Sequence, residues 1–226
     1  MLNKDTLAFL SDLKKNNNRE WFAANKARYD KAHADVEALV NKLLPALNEF
    51  DSEIGHPEAK KLMFRIYRDV RFSPNKEPYK VNMGAVLCAE EHKKSWAHAD
   101  YYVHVEQGNC FLSCGLYMPP PNALKAVRMA IYEDFDTFDK IISASDFKKT
   151  FGELARENDT LQRVPNGFDK DHPAADFLKM KHFYVFKNVS DNDVCNNDYV
   201  DKAVKILKIS KDFKDWLNNA IEDVSM

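Results

Sequence analysis

Leu7, Leu10 and Leu13 fall three residues apart with Phe9 beside them, so the first apolar stripe of the chain is helical. Asn3 or Thr6 is suited to cap this helix, and Asn16-Asn17-Asn18 ends it. Asn18 is also placed to cap a second helix from Arg19, where Phe22, Tyr29, Val36, Val40, Leu43, Leu47 and Phe50 trace one stripe. Pro45 lacks an N–H inside that run and predicts a kink or a restart near Asn41. After a polar connection at 51–60 the period changes from helical to two. Leu62, Phe64 and Ile66 alternate with Met63, Arg65 and Tyr67, which predicts a strand. Residues 70–81 hold Pro74 and Pro78 and predict a loop, 82–89 a second strand, and 91–98 a polar connection.

The cleanest alternation lies at 100–106. Asp100, Tyr102, His104 and Glu106 share one face; Tyr101, Val103 and Val105 share the other. Residues 111–117 supply a partner strand, and a two-residue turn at Gly108-Asn109 would close a hairpin. In that register His104 opposes Ser113, Tyr102 opposes Gly115 and Asp100 opposes Tyr117, while Val105 meets Leu112 and Val103 meets Cys114. A slip by one residue would mix polar with apolar positions. One face of the hairpin is therefore core, and the other is polar and open to a site.

Beyond Pro119-Pro120-Pro121 the spacing predicts a helix over 122–142, bearing Leu124, Val127, Ile131, Phe135, Phe138 and Ile142. Ser145 or Asp146 caps a short helix through Leu154, and Asp171-His172-Pro173 opens another. Residues 182–187 read as a further strand, 191–197 as a polar loop, and two helices close the chain, the last capped by Ser210. Helices lead, strands cluster in the middle and helices follow. That order predicts an α+β fold with an antiparallel sheet of about four or five strands, flanked by N- and C-terminal helices. We expect one domain over 1–226, with a helical part at 3–50, a sheet core at 62–118 and a helical part at 122–224.

Charge and cysteine content narrow the function classes. Lys and Arg total 33 against 35 for Asp and Glu, a net charge of −2, which argues against a dedicated nucleic-acid binder. The four cysteines show no metal-like spacing. Cys110 and Cys114 would lie about 13 Å apart along a strand, too far to chelate one ion. They read as reduced thiols of a cytoplasmic protein. The N-terminus lacks a signal-like apolar run, and no window is apolar for long enough to span a membrane. Phosphate-loop, nucleophile-elbow, zinc-protease and dinucleotide motifs are absent, and no cofactor or metal is implied.

One segment stands apart. Residues 60–80 carry seven cations against two anions, a net +5 that leaves −7 for the remainder. Arg65, Arg68, Arg71, Lys76 and Lys80 are interleaved there with Phe64, Tyr67, Phe72 and Tyr79. Guanidinium forks suit phosphate or carboxylate. The functional reading is an anion pocket in which Arg65, Arg68 and Arg71 clamp the ligand, Lys76 and Lys80 neutralise it, and Tyr79 and Tyr102 orient it. The bland reading is a solvated basic edge tied down by Asp69 and Glu77. Strand alternation separates Arg65 from Arg68, so the two reach one ligand only if the strand bulges or ends between them. His104 is a candidate general acid/base acting on such a ligand, with a Ser113 partner conceivable, although a strand histidine more often hydrogen-bonds across the sheet. A third reading has the basic segment dock a protein or nucleic-acid backbone. Trp21 and Tyr29 read as packing residues, Asn25 as a polar contact to the loop, His172 as a helix-start residue, and Glu133, Asp134, Asp136 and Asp139 as a solvated helical face.

The stretches at 6–30, 64–80, 101–119 and 163–181 carry a resemblance over nearly the whole chain. With its RxxRDxRFSxxKxPYK core, the sequence resembles the domain-of-unknown-function 2461 family of bacterial and fungal proteins. The pattern falls on Arg65, Arg68, Asp69, Arg71, Phe72, Ser73, Lys76, Pro78, Tyr79 and Lys80. It falls also on Trp21, Phe22, Asn25, Lys26 and Tyr29, and on Gly167, His172 and Pro173. Glu77 departs from it, standing where the pattern commonly has threonine and adding a negative charge beside the anion site. The resemblance implies a compact single domain and no particular activity.

Overall fold

A computed structural model describes residues 1–71, 74–95, 97–156 and 160–223. The helices α1 (Lys4–Lys15), α2 (Arg19–Ala24), α3 (Lys26–Asn48) and α4 (Ala59–Leu62) come first. Strand β1 (Met83–Leu87), helix α5 (Glu90–Ser95), and strands β2 (Asp100–Val105) and β3 (Cys110–Leu116) follow. Then come α6 (Pro121–Glu133), α7 (Phe135–Ile142), α8 (Ser145–Phe151), α9 (Ala175–Leu178), β4 (Phe183–Val189), α10 (Asp191–Val194), α11 (Tyr199–Ile209) and α12 (Lys211–Glu222). The four strands form one antiparallel sheet in the order β1-β2-β3-β4, so the α+β expectation holds.

Local chemistry accounts for most boundaries. Asn3 accepts the Asp5 N–H and Asn18 accepts that of Trp21, supplying the N-caps of α1 and α2. Pro45 neither kinks the chain into a new helix nor restarts it at Asn41. It lies within a continuous α3 near its C-terminal end, where only the last turn lies beyond the missing bond. The helix expected over 122–142 is two helices, because Asp134 leaves helical geometry and accepts the Thr137 N–H as the cap of α7. Stretches read as polar connections hold the short helices α5 and α10; in α10 Ser190 and Asp193 form a reciprocal capping box.

Two corrections bear on the site. Leu62 ends α4 instead of opening a strand, and the segment after it is extended but only bridged, at Met63 to Ala85 and Tyr67 to Tyr79. The hairpin also turns one residue earlier than expected. Gln107-Gly108 occupy the turn, and the Asn109 N–H donates to the Glu106 carbonyl at 3.0 Å. Opposed positions therefore shift by two residues, which keeps every side chain on its expected face. His104 now lies against Phe111, with ring centroids 4.4 Å apart.

The chain forms two compact units. One comprises Met1–Glu90, Tyr102–Leu112 and Asn188–Lys205; the other comprises Glu91–Tyr101, Ser113–Lys187 and Ile206–Met226. In the first, α3 packs on α1 and on β1, burying Leu10, Leu13, Val36, Val40, Leu43 and Leu47 with Ala85 and Leu87. In the second, α12 packs on α6 and α7 around Val127, Ile131, Phe138, Phe213 and Leu217. Asn218 there pins Ala99 by accepting its N–H at 2.7 Å and donating to its carbonyl at 3.1 Å. Among the described residues no helix is long and apolar enough to cross a membrane.

Candidate functional site

The basic segment is an irregular two-stranded ribbon. The Phe64 N–H donates to Gly84 O at 2.9 Å, the Lys80 N–H to Ile66 O at 2.7 Å, and the Arg68 N–H to Pro78 O at 3.0 Å. Between the two bridges, residues 64–66 oppose residues 80–84, so the returning chain carries two extra residues. Proline at 78 cannot donate back, and the ladder stops there. Arg68, Lys80 and Phe64 share one face of this ribbon. The two extra residues lie on the returning chain, so residues 64–68 keep their alternation, yet the charges of both Arg65 and Arg68 reach Lys80. Burial, then the charges of Arg65 and of Arg68, hold the Lys80 ammonium below its ordinary range. Its Nζ sits 5.3 Å from the centroid of the Phe64 ring. Among the described residues Lys80 and Arg65 form no ion pair, and Arg68 meets Glu77 at 3.7 Å.

The other sequence candidates sit differently. Arg71 grips Asp69, from Nε at 3.0 Å and a terminal nitrogen at 2.7 Å. Those side-chain bonds, with one from the Arg71 N–H, bring the Asp69 carboxyl down to about 2. Lys76 Nζ donates to the Val70 carbonyl at 3.0 Å. Tyr79 is buried, with its ring stacked on Phe22 at 3.9 Å and 12°. Its backbone is clipped by Asn17, whose amide accepts the Tyr79 N–H at 3.1 Å and donates to its carbonyl at 3.0 Å. Tyr79 therefore anchors the ribbon to the first two helices. Asn17 thus does more than end a helix, and three consecutive asparagines, more than a helix stop requires, are the signal for it in the sequence. Asn25 does not reach the loop: its Nδ2 donates to Trp21 O and its Oδ1 accepts from Arg28 between α2 and α3. Phe72 and Ser73 lie outside the described residues.

The polar face of β2 carries a second set of groups. The Tyr102 hydroxyl lies 3.0 Å from His104 Nδ1, and His104 Nε2 lies 3.3 Å from Glu106 Oε2. Asn109 Nδ2 donates to the same carboxylate at 3.0 Å, and Lys14 Nζ approaches its other oxygen at 3.5 Å. Burial pushes the Glu106 carboxyl up, but hydrogen bonds from Asn109 and His104 outweigh it and leave the group below its ordinary range. Burial holds His104 below its ordinary range despite Glu106, and burial followed by the Glu106 charge pushes Tyr102 well up. His104 is 8% exposed, with Phe111 stacked on its ring, the Tyr102 hydroxyl at one ring nitrogen and Glu106 at the other. Gly84 makes room for that hydroxyl: a Cβ at 84 would lie 2.3 Å from it. Phe64 links the two sets of groups, with its ring centroid 6.1 Å from that of Tyr102.

The expected Ser113 partner for His104 is corrected. The Ser113 hydroxyl donates to Val185 O at 2.7 Å, a structural bond within its own unit. Gly115, expected opposite Tyr102, opposes Asp100 in the observed register and lies close against the β4 backbone. His172 accepts the Ala174 N–H and packs on Tyr132, as a helix-start residue should. Asp134 and Asp139 act locally, on the Thr137 N–H and the Ser143 hydroxyl. Chemically, then, the first unit sets Lys80 within the field of Arg65 and of Arg68, the latter shared with Glu77, beside a carboxylate–imidazole–phenol chain equipped to move a proton.

No curated protein and no solved structure matches the chain. The family model for conserved hypothetical proteins, DUF2461, matches residues 5–216 of the 226, in keeping with the pattern on 64–80. The chain belongs to the DUF2461 family.

Proposed function

We propose that the protein binds a small phosphate- or carboxylate-bearing ligand at Arg65, Arg68 and Lys80. The observation that carries this reading is a half-buried ammonium, lacking an ion-pair partner among the described residues, that two guanidinium groups push against. Gathering like charges at a desolvated position is unfavourable in the free protein, and an anion relieves it. Two arginines add planar forks for a phosphate or carboxylate group. Arg71 and Lys76, engaged with Asp69 and the Val70 carbonyl, serve the loop's own structure. The remaining chain, at −7, disfavours a nucleic-acid backbone as the ligand. Among the described residues the four cysteines form no disulfide, which suits the reducing cytoplasm.

A thermal-shift series with inorganic phosphate and a panel of phosphorylated and carboxylated metabolites tests the proposal. A ligand at ten times its Kd stabilises by about 1.4 kcal/mol, and for a chain of this length that raises Tm by about 3–5 °C. The shift should vanish in Arg68→Ala and in Lys80→Ala, and persist in Arg71→Ala. No stabiliser in the panel, or equal stabilisation of all three variants, rejects the site.

A further inference from the structure

The protons of the β2 chain can be placed one by one. Glu106 is ionised and accepts only, since Asn109 and Lys14 both present donors to it. His104 Nε2 must then carry a hydrogen. In the neutral ring Nδ1 is bare, so the bond between it and Tyr102 is filled by the hydroxyl hydrogen, which points inward. The outward side of the Tyr102 oxygen then offers lone pairs and repels an anion. When the ring is protonated, Nδ1–H becomes the donor to the Tyr102 oxygen. The hydroxyl hydrogen must leave that bond and turn to the other side of the oxygen, which sits in the room left by the missing Cβ of Gly84. Beyond it lie Phe64 and the Lys80 ammonium on the same ribbon.

We propose that Glu106, His104 and Tyr102 form a proton-gated donor, in which a second proton on His104 turns the Tyr102 hydroxyl outward as a hydrogen-bond donor to the anion held by the Lys80 cluster. This rests on the anion-binding reading and adds a regulation to it. The groups around the imidazole are Tyr102 and Glu106 on its own strand and Phe111 on β3. Lys14 of α1 and Asn109 of the turn act through Glu106. The resting state is the neutral ring, because burial disfavours the imidazolium. The gate therefore opens on acidification below the ordinary histidine range. One covalent bond forms, Nδ1–H, from a solvent proton; otherwise only the hydrogen bond between His104 and Tyr102 reverses.

Sulfate is a suitable probe because its charge does not change over this range. Its affinity for the wild-type protein should rise on the order of tenfold between about pH 7.5 and about pH 5, as one charge-assisted hydrogen bond is added. The rise should fall to about twofold or less in Tyr102→Phe, which keeps the histidine charge but has no hydroxyl, and in His104→Gln, which cannot take the proton. Imidazole nitrogen shifts of the unsubstituted protein give a reading that needs no variant: the neutral ring should carry its hydrogen on Nε2. An Nδ1–H tautomer overturns the proposal, and so does a pH dependence that Tyr102→Phe leaves intact. Sulfate binding at neither pH removes the anion site itself, and the gate with it, whereas binding without the Tyr102-dependent rise removes the gate alone.

Discussion

Phe22→Ala should destabilise the protein by about 3–5 kcal/mol, the range for removing a buried aromatic ring, and lower Tm by roughly 10 °C. Phe22 is 3% exposed, and four rings surround it. Tyr79 stacks on it at 3.9 Å, Tyr29 lies at 5.1 Å, Tyr67 at 6.3 Å and Phe9 at 6.5 Å. These rings come from α1, α3 and both sides of the basic ribbon, so no single neighbour can swing in to fill the space. The consequence extends to the site. Tyr79 adjoins Lys80, and without its stacking partner the ribbon relies more heavily on the Asn17 clip to hold it on the helices. Equilibrium denaturation measures the loss, and the anion-dependent rise in Tm should shrink in the same variant. Phe22→Leu, which refills part of the volume, should cost far less. A loss under about 1 kcal/mol for the alanine would mean that the ribbon is not anchored through this cluster.

Gly115→Ala should be comparably severe, at about 3 kcal/mol or more, from two independent causes. Gly115 has φ +130°, a backbone state that side-chain-bearing residues rarely adopt, and a Cβ there would lie 2.3 Å from the Phe183 carbonyl oxygen and 2.6 Å from Tyr184 Cα. Both obstacles are backbone of β4, which cannot rotate away as a side-chain tip can. The strand pair must separate locally, and the Ser113 hydroxyl bond to Val185 O at 2.7 Å is the next contact to weaken. Gly108→Ala is the matched control: it also has positive φ, at +75°, but nothing lies within 4 Å of its Cβ position, so it isolates the conformational share. Chemical denaturation of both variants reads the difference, and equal losses would remove the steric argument.

The legible parts of this chain are those governed by neighbours in sequence. The caps at Asn3 and Asn18 and the two-faced alternation of β2 follow from local spacing, and all stand as expected. The hairpin register does not. Composition favours Gly108 as the first turn residue, but the Gly108 N–H is taken by Asp191, 83 residues away, and Asn109 donates to Glu106. Those partners favour Gln107-Gly108 as the turn pair. At 62–67 the alternation was half right. Ile66 is buried while Arg65 and Tyr67 are exposed, yet the ladder fails because Pro78 has no N–H and the returning chain bulges before Gly84. Within the +5 segment, the pairing of Arg71 with Asp69 two residues away was readable as local neutralisation. The clip by Asn17, 62 residues from Tyr79, was not, because no local rule gives one asparagine amide a distant backbone partner. Phe111 on His104 was hidden by the register error alone.

The most direct measurement is the titration of Lys80 itself, followed through the chemical shifts at its side-chain terminus. Half-buried and within the field of Arg65 and Arg68, the ammonium should lose its proton below the ordinary value of 10.5. Because a lowered folded-state value means that the unfolded chain binds more protons, stability should rise with pH between the two values. Arg65→Ala and Arg68→Ala should each move the Lys80 titration upward, and saturating sulfate should move it upward in the unsubstituted protein. A Lys80 that titrates at its ordinary value and responds to neither arginine nor to sulfate would contradict the account, since the three charges would then share no common place.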